Sequence, residues 1–114
     1  MIGQVSYADL DRAVIDRRTD GFAKLIVDRE THRVLGAHVV GEQAVEVVQI
    51  AATAMAATLP VEDLAEIEFA YPTFTSIIGL AARQVVHALR LGGEAEAWEA
   101  MGRPRPAEWE RREA

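Results

Sequence analysis

The segment Ala70-Tyr71-Pro72-Thr73-Phe74-Thr75-Ser76 is the most informative part of this chain, together with Gly36-Ala37-His38-Val39-Val40-Gly41 upstream of it. The upstream segment ends a run of strand-forming residues, and its two glycines lie where a side chain would crowd a bulge or a tight exit from a sheet. In the downstream segment, Thr73 is placed to cap a helix that follows it. The pair therefore predicts a strand and, later in the chain, a loop from which a helix starts.

The pattern around these two segments predicts a mixed fold. Phe22 to Val27 and Val34 to Val40 are rich in residues that fit a pleated sheet, and the polar turn between them predicts an antiparallel hairpin. Two long helices are expected, from Glu42 to Pro60 and from Thr73 to about Leu91, with a short helical turn at 61–65 and an extended segment at 67–70 between them. The expected fold class is α+β, an antiparallel sheet with long helices packed on it.

The first long helix is apolar over most of its circumference. One apolar set recurs at helical spacing and comprises Val45, Val48, Ala52, Met55 and Leu59, and a second set on another side comprises Val47, Ile50 and Ala54. A helix of this kind is buried on two sides, so one side is expected to face the sheet and the other a partner subunit. We assign Val47, Ile50 and Ala54 to that interface, together with Phe74 from the loop.

Composition excludes several classes of protein and of site. The chain has 114 residues, a net charge of -6 and 50% hydrophobic residues, which fits one folded domain and does not suit an electrostatic nucleic-acid binder. Because it contains no cysteine, disulfides, thiolate chemistry and thiolate metal sites are excluded. No apolar run is long enough to span a membrane and no leader follows Met1, so we expect a cytoplasmic protein without a membrane partner.

The titratable side chains do not predict a metal centre or a hydrolytic site. His32, His38 and His87 share no metal-ligand spacing, so each is expected to be solvated or to have a structural partner, and no metal site is predicted. Carboxylates at positions 62, 63, 66 and 68 lie near the loop in sequence, but such residues usually cap helices or face water.

Gly92-Gly93 is the clearest break in the chain and sets the predicted domain boundary. Residues 1–91 are expected to form one domain, and residues 92–114 a charged extension. Trp98 and Trp109 lie among acidic and basic residues in this extension, which is interpreted either as a loosely attached tail or as a segment whose tryptophans dock on the domain or on a partner.

Several segments of the chain together resemble one family. These are Gly21-Phe22-Ala23-Lys24, the run from Val34 to Gly41, Glu46 and Tyr71-Pro72-Thr73. In this order and spacing they resemble the C-terminal dimerisation domain of the FAD-dependent pyridine nucleotide-disulfide oxidoreductases, among them dihydrolipoamide dehydrogenase, glutathione reductase, mercuric reductase and the soluble transhydrogenases. The resemblance begins at Gly3, because Val5-Ser6-Tyr7 resembles the second strand of that domain, and it implies an N-terminally truncated form that lacks the opening strand and helix.

The resemblance implies a specific role for the loop. In thiol-active members the loop reads His-Pro-Thr, followed by two residues and Glu, and the His works as acid or base beside the flavin of the other subunit. Here Tyr71 and Ser76 occupy the His and Glu positions, so no catalytic residue is assigned, and the loop chemistry is closest to transhydrogenase-like and mercuric-reductase-like members. The resemblance implies that Tyr71, Pro72 and Thr73 approach the flavin of the partner. It also implies a cis bond before Pro72, where the sequence alone predicts a trans bond.

Three functions remain open at this point. The first is a homodimerisation domain of an FAD-dependent NAD(P)H oxidoreductase. This domain would be inactive alone and without cofactor, because no Gly-x-Gly-x-x-Gly run is present and FAD and NAD(P)H would belong to the parent enzyme. The second is a fragment that regains activity with a separate flavin- and nicotinamide-binding subunit. The third is a small, non-catalytic homodimeric binding protein that reuses the fold and makes contacts through its extension.

Overall fold

The computed structural model describes residues 1–91, which form a three-stranded sheet with helices on one face. The strands are β1 (Ile2–Ser6), β2 (Phe22–Val27) and β3 (Val34–Val40). The α-helices are α1 (Asp11–Asp16), α2 (Ala44–Ala56), α3 (Val61–Glu66) and α4 (Ser76–Leu91), and a single 3-10 turn, Tyr7–Asp9, joins β1 to α1. The strands are antiparallel in the order β1-β2-β3. The expected α+β fold is therefore confirmed, whereas the predicted extension at 92–114 lies outside the described residues.

The hydrophobic core lies between the sheet and α4. Side chains along β2 alternate between the two faces of the sheet, and Ala23, Leu25 and Val27 are all buried against the helices. On the first turns of α4, Ile77 and Ile78 have no exposed surface and complete this core. At the outer edge of β1, the backbone N–H of Gln4 donates to Oε1 of Gln84 on α4 at 2.7 Å, so the helix also covers part of that strand edge.

Local sequence rules placed most elements correctly. The strands β2 and β3 have the predicted bounds. The first long helix starts two residues later than expected, because Gln43 takes a left-handed conformation with φ 54°. Thr73 caps α4 as predicted, since its Oγ1 accepts a hydrogen bond from the backbone N–H of Ser76 at 3.3 Å. The short helix α1 was not predicted, because its six residues are too few to show a periodic pattern.

The prediction for the two sides of α2 needs a correction. Val47 and Ala54 were assigned to a subunit interface, but they are 0% and 2% exposed and lie in the core of their own subunit. The other apolar side is the one that faces solvent, with Val45 78% and Met55 40% exposed. Because both sides consist of small aliphatic residues, hydrophobic spacing alone does not show which side packs on the sheet.

The turn between β2 and β3 is attached to α3. Oδ1 of Asp28 accepts hydrogen bonds from the backbone N–H groups of Glu30 and Thr31, both at 2.8 Å, and these bonds lower the pKa of Asp28. The imidazole of His32 pairs with the carboxylate of Glu62, and the His32 carbonyl accepts from Val61 N–H at 2.8 Å. Of the two environments expected for His32, solvated or structurally paired, the structure has the paired one, and its carboxylate partner on α3 supports the turn.

Tyr7 is the largest aromatic group in the core, and a glycine makes room for it. Its side chain is fully buried, and its hydroxyl donates to the carbonyl of Glu42 at 2.7 Å. Gly41 lies directly against the ring and has φ 144°, a backbone conformation that disfavours other residues. A Cβ at position 41 would come within 2.6 Å of the Tyr7 ring. The exit from β3 is therefore fixed by the packing of this tyrosine.

Replacing Gly41 with Ala should destabilise the domain, because the added methyl group meets the Tyr7 ring and the backbone at that position is unfavourable for alanine. We expect a loss of about 2–3 kcal/mol in the free energy of unfolding, measured by urea denaturation followed by circular dichroism. Gly36→Ala is the matched control, since the nearest atom to its Cβ would be Ile26 Cδ1 at 3.7 Å. Equal stability of the two variants would contradict the proposed role of Gly41.

Tyr7 should make stability fall at alkaline pH. Burial and the nearby Glu42 carboxylate raise the pKa of Tyr7 above its usual 10.0. Since the unfolded chain then loses this proton first, the stabilising contribution is complete below about pH 10 and is lost as the pH rises through the pKa of the folded state. Tyr7→Phe should cost about 1 kcal/mol at pH 7. Its denaturation midpoint should decline less steeply above pH 10 than that of the unaltered protein, and a parallel decline would contradict the assignment.

Candidate functional site

The loop at 71–75 is held in a defined conformation by the first helix. The Tyr71–Pro72 peptide bond is cis, as the family resemblance implied. The Tyr71 side chain is 53% exposed, and its hydroxyl donates to Oδ2 of Asp11 at 2.7 Å. The two residues are 60 positions apart in the chain, so this contact depends on the tertiary fold. The tip of the loop is therefore presented to solvent and attached to α1.

Arg12 connects the loop to α1 through three groups. Its Nη1 donates to the carbonyl oxygen of Pro72 at 3.1 Å, and its Nε forms a 2.9 Å ion pair with Oδ2 of Asp16. The guanidinium carbon lies 5.5 Å from the centroid of the Phe74 ring, within the range of a cation–π contact. Because the ion pair with Asp16 is partly exposed, its own contribution to stability is small. Its main effect is to orient the guanidinium toward the loop.

The base of the loop is closed by hydrogen bonds of its own side chains. Thr73 Oγ1 donates to the carbonyl of Ala70 at 2.7 Å, and Ser76 Oγ donates to the carbonyl of Thr73 at 2.8 Å. Ser76 is only 1% exposed, so its hydroxyl lies below the surface and bonds at the base of the loop. Of the predicted site residues, Tyr71 and Pro72 lie at the tip, while Thr73 and Ser76 stabilise the turn into α4.

Phe74 does not lie where the sequence analysis placed it. It was assigned to a subunit interface, but its side chain is 2% exposed inside its own subunit. Its ring stacks on Tyr7 with centroids 5.9 Å apart and an interplanar angle of 29°. The position of Tyr7 near the end of β1 explains the difference, because the aromatic side chain of the loop packs inward on the one that follows the strand. Phe74 therefore anchors the loop in the core.

Neither Asp11 nor Arg12 was predicted from the sequence as a residue of the site. Both lie in a short polar segment without periodicity, and each bonds to a residue 60 positions away. The only signal in the sequence was the charge of this segment next to the apolar end of β1. That signal is too general to identify a contact with the loop.

An apolar groove lies beside the loop. It is formed by Ile50, Thr53, Ala54, Leu59, Leu64, Ile67 and Phe69, with a volume of about 160 Å³. Phe69 packs closely over Gly79 of α4, where a Cβ would lie 2.7 Å from the ring. Two residues that line the groove, Ile67 and Phe69, lie just before the loop in the chain. Ile50 is the one predicted interface residue on α2 that is partly exposed, and it lines this groove.

The two grooves described on residues 1–91 are too small to enclose a dinucleotide. A second groove, between Leu35 and Met55, has a volume of about 200 Å³, so both grooves are smaller than the roughly 300–1,000 Å³ of usual ligand pockets.

Within residues 1–91, no three His, Asp or Glu side chains come together as a group that could hold a metal ion. Among the described helices, none combines the length and the apolar character needed to cross a membrane. The loop itself could form one wall of a site completed by another chain.

Comparisons with known proteins agree on one family. Residues 1–82 match the family model for the pyridine nucleotide-disulphide oxidoreductase dimerisation domain. The chain is 44% identical over 71 residues to mercuric reductase from Lysinibacillus sphaericus, a match that covers 62% of the chain and 13% of that protein. It is 35% identical over 89 residues to soluble pyridine nucleotide transhydrogenase from Mycobacterium tuberculosis, covering 78% of the chain and 19% of that protein.

Solved structures give the same result. The flavoprotein disulfide reductase RclA from Escherichia coli superposes with a TM-score of 0.69 and 28% identity, over 73% of this chain and 19% of that one. LpdA from Mycobacterium tuberculosis superposes with a TM-score of 0.70 and 28% identity, over 75% of this chain and 18% of that one. The chain spans less than a fifth of the length of these proteins. This match over most of the chain, in sequence and in fold, shows that it belongs to the dimerisation-domain family of the pyridine nucleotide-disulphide oxidoreductases.

Proposed function

We propose that this chain is the homodimerisation domain of an FAD-dependent NAD(P)H oxidoreductase, and that its loop at 71–73 faces the flavin site of the partner subunit. The observation that carries the proposal is the exposed Tyr71 on a loop that is anchored inside its own subunit, and an apolar groove lined by Ile67 and Phe69 supports it. A loop anchored from inside the subunit, with an exposed aromatic tip, is suited to contact a second chain. The family membership supports the same function.

The dimer interface is assigned to the groove to which α2 contributes Ile50, a half-buried residue that also packs against the core. Ile50 lies in the groove with Ile67 and Phe69, and this apolar surface leads into the loop along the chain. When a second copy covers the groove, its apolar surface is removed from water, which is the main driving force for association. The opposite side of α2, with Val45, lies away from this groove. Ile50 is therefore the residue of α2 retained from the interface predicted by sequence, whereas Val47 and Ala54 stabilise the subunit itself.

We also propose that the domain has no catalytic activity when it is alone. FAD and NAD(P)H would be bound by other parts of the parent enzyme, since neither groove of the described residues is large enough for a dinucleotide. When bound there, the flavin would supply the hydride and electron transfer chemistry. The Tyr71 hydroxyl can donate or accept a hydrogen bond. Its proposed role is to contact the partner subunit and to orient the group that it meets there.

Two other functions have less support. A separately encoded flavin- and nicotinamide-binding subunit would give the loop the same environment as a parent enzyme, so the loop alone does not favour that arrangement. The small homodimeric binding protein would make its contacts through Trp98 and Trp109, which lie outside the described residues. No feature of residues 1–91 favours either function over the dimerisation domain.

Ile50→Glu should convert a dimer into a monomer. The introduced carboxylate would be buried without a partner in the groove, which costs several kcal/mol, whereas in the monomer it can reach water. Light scattering and sedimentation velocity on the full chain measure the molecular mass. The unaltered protein should be dimeric and free of flavin absorbance, and Ile50→Glu should be monomeric with an unchanged circular dichroism spectrum.

Val45→Glu is the matched control on the same helix. Val45 is 78% exposed and lies away from the groove, so this variant should remain dimeric with unchanged stability. If Val45→Glu dissociates the dimer and Ile50→Glu does not, the assigned side of α2 is wrong. A monodisperse monomer of the unaltered chain, or a yellow preparation that retains flavin, would contradict the proposed function.

A further inference from the structure

We propose that Asp11 and Arg12 are positioning residues that fix Tyr71 and Pro72 in one orientation before the loop meets a second subunit. These adjacent residues lie in the first turn of α1, and each bonds to one of the two adjacent residues at the tip of the loop. That the loop contacts a second subunit rests on the proposed function, whereas the positioning of Tyr71 and Pro72 is a property of the single chain. It can therefore be tested separately.

Asp11 is the residue that orients Tyr71. Ser76, at the start of α4, is buried and donates its hydroxyl hydrogen to the carbonyl of Thr73, so it does not orient Tyr71. The carboxylate that does reach Tyr71 comes from Asp11 on α1, with 2.7 Å between the two oxygens. The orienting contact therefore comes from a helix that is distant in sequence and not from the helix that follows the loop.

This contact determines how Tyr71 is presented outward. Because the phenol hydrogen is directed to Asp11, the contact fixes the orientation of the side chain. Tyr71 is 53% exposed, and its planar ring suits stacking against another planar group. A tyrosine without this carboxylate would rotate among rotamers and lose side-chain entropy when a partner bound.

Arg12 fixes the backbone of the same loop. Its guanidinium donates to the Pro72 carbonyl, lies over the Phe74 ring and is oriented from behind by Asp16. Since Phe74 itself stacks on the buried Tyr7, Arg12 connects the exposed tip to the hydrophobic core. The planar fork of arginine serves these three contacts at once, and the point charge of lysine does not reproduce them.

A purely structural role for Asp11 has a different signature. An acidic residue in the first turn stabilises a helix through its charge, and this effect is lost equally in Asp11→Asn and Asp11→Ala. Positioning of Tyr71 requires an acceptor oxygen, which Asn retains and Ala lacks. The two substitutions therefore distinguish orientation of the tyrosine from stabilisation of the helix.

The first test is NMR spectroscopy of the full chain with labelled tyrosine rings and backbone amides. In Asp11→Ala, the Tyr71 ring signals should shift, and hydrogen exchange at Thr73 and Phe74 should accelerate about 5–10-fold, as expected for the loss of one hydrogen bond. In Asp11→Asn, the Tyr71 ring signals should keep their positions, because the acceptor is retained. The exchange rates should stay within about twofold of those of the unaltered chain. Unchanged Tyr71 signals in Asp11→Ala, or equal effects of the two substitutions, would overturn the proposal.

Tyr71→Phe provides a double-mutant cycle. If Asp11 acts through the tyrosine hydroxyl, Asp11→Ala should have no further effect on loop exchange once that hydroxyl is removed. Fully additive effects would show that Asp11 acts elsewhere and would overturn its assigned role.

The second test addresses Arg12. Arg12→Ala should accelerate exchange at Phe74 and Thr75 about tenfold, and Arg12→Lys should recover less than half of the protection. Arg18→Ala is the matched control, because Arg18 has an exposed side chain and bonds through its backbone N–H to the carbonyl of Ala13. An equal effect of Arg18→Ala and Arg12→Ala, or complete recovery by lysine, would contradict the positioning role of Arg12.

The same spectra of Ile50→Glu separate this inference from the proposed function. If the loop amides exchange slowly in that monomeric variant, and faster when Asp11→Ala is added, the positioning comes from within one chain, as proposed. If the slow exchange of the loop amides is lost in the Ile50→Glu monomer, the partner subunit orders the loop. The positioning role of Asp11 and Arg12 would then be wrong, although the proposed dimer would remain supported. If the unaltered chain is a monomer and Asp11→Ala still accelerates exchange in its loop, the proposed dimer is wrong and the positioning role of Asp11 is supported.

Discussion

The stacking of Phe74 on Tyr7 is the interaction on which the rest of this structure depends. Tyr7 directly follows the first strand and determines how β3 can leave the sheet at Gly41. Phe74 lies in the turn into α4, the helix that covers the sheet. By joining these points, one aromatic pair fixes the sheet, its covering helix and the exposed loop relative to one another. Arg12 lies over the Phe74 ring of this pair, so the surface loop is attached to the core.

The loop combines a rigid base with an exposed tip. Its base is closed by the hydroxyl groups of Thr73 and Ser76, and its tip is held by α1. Such an arrangement lowers the entropy cost of association, because the contact residues are ordered before a partner binds. The family membership of the chain therefore agrees with a role in contact and orientation.

The sequence predicted those parts of the fold that obey local rules. The strands β2 and β3 were recognised because β-branched residues flank a polar turn, and the cap at Thr73 follows from its position before an apolar helix. Val47 and Ala54 of α2 were wrongly assigned to an interface, since both sides of the helix carry the same hydrophobic signal. The cis bond before Pro72 was predicted only through the family resemblance, because local preference favours trans. Asp11 and Arg12 were missed, as their partners lie 60 positions away.

The contact between Gln84 and Gln4 gives the two margins of the sheet different properties. The outward amide of Gln4 is already bonded to a side chain of α4, so a strand that approached β1 would first have to displace that side chain. In the antiparallel ladder, the outward groups of β3 belong to alternate residues, including Ala37 and Val39. No such cap on them comes from residues 1–91. Addition of a strand along β1 therefore has to compete with the Gln84 side chain, whereas at Ala37 and Val39 of β3 it meets no such competitor from residues 1–91.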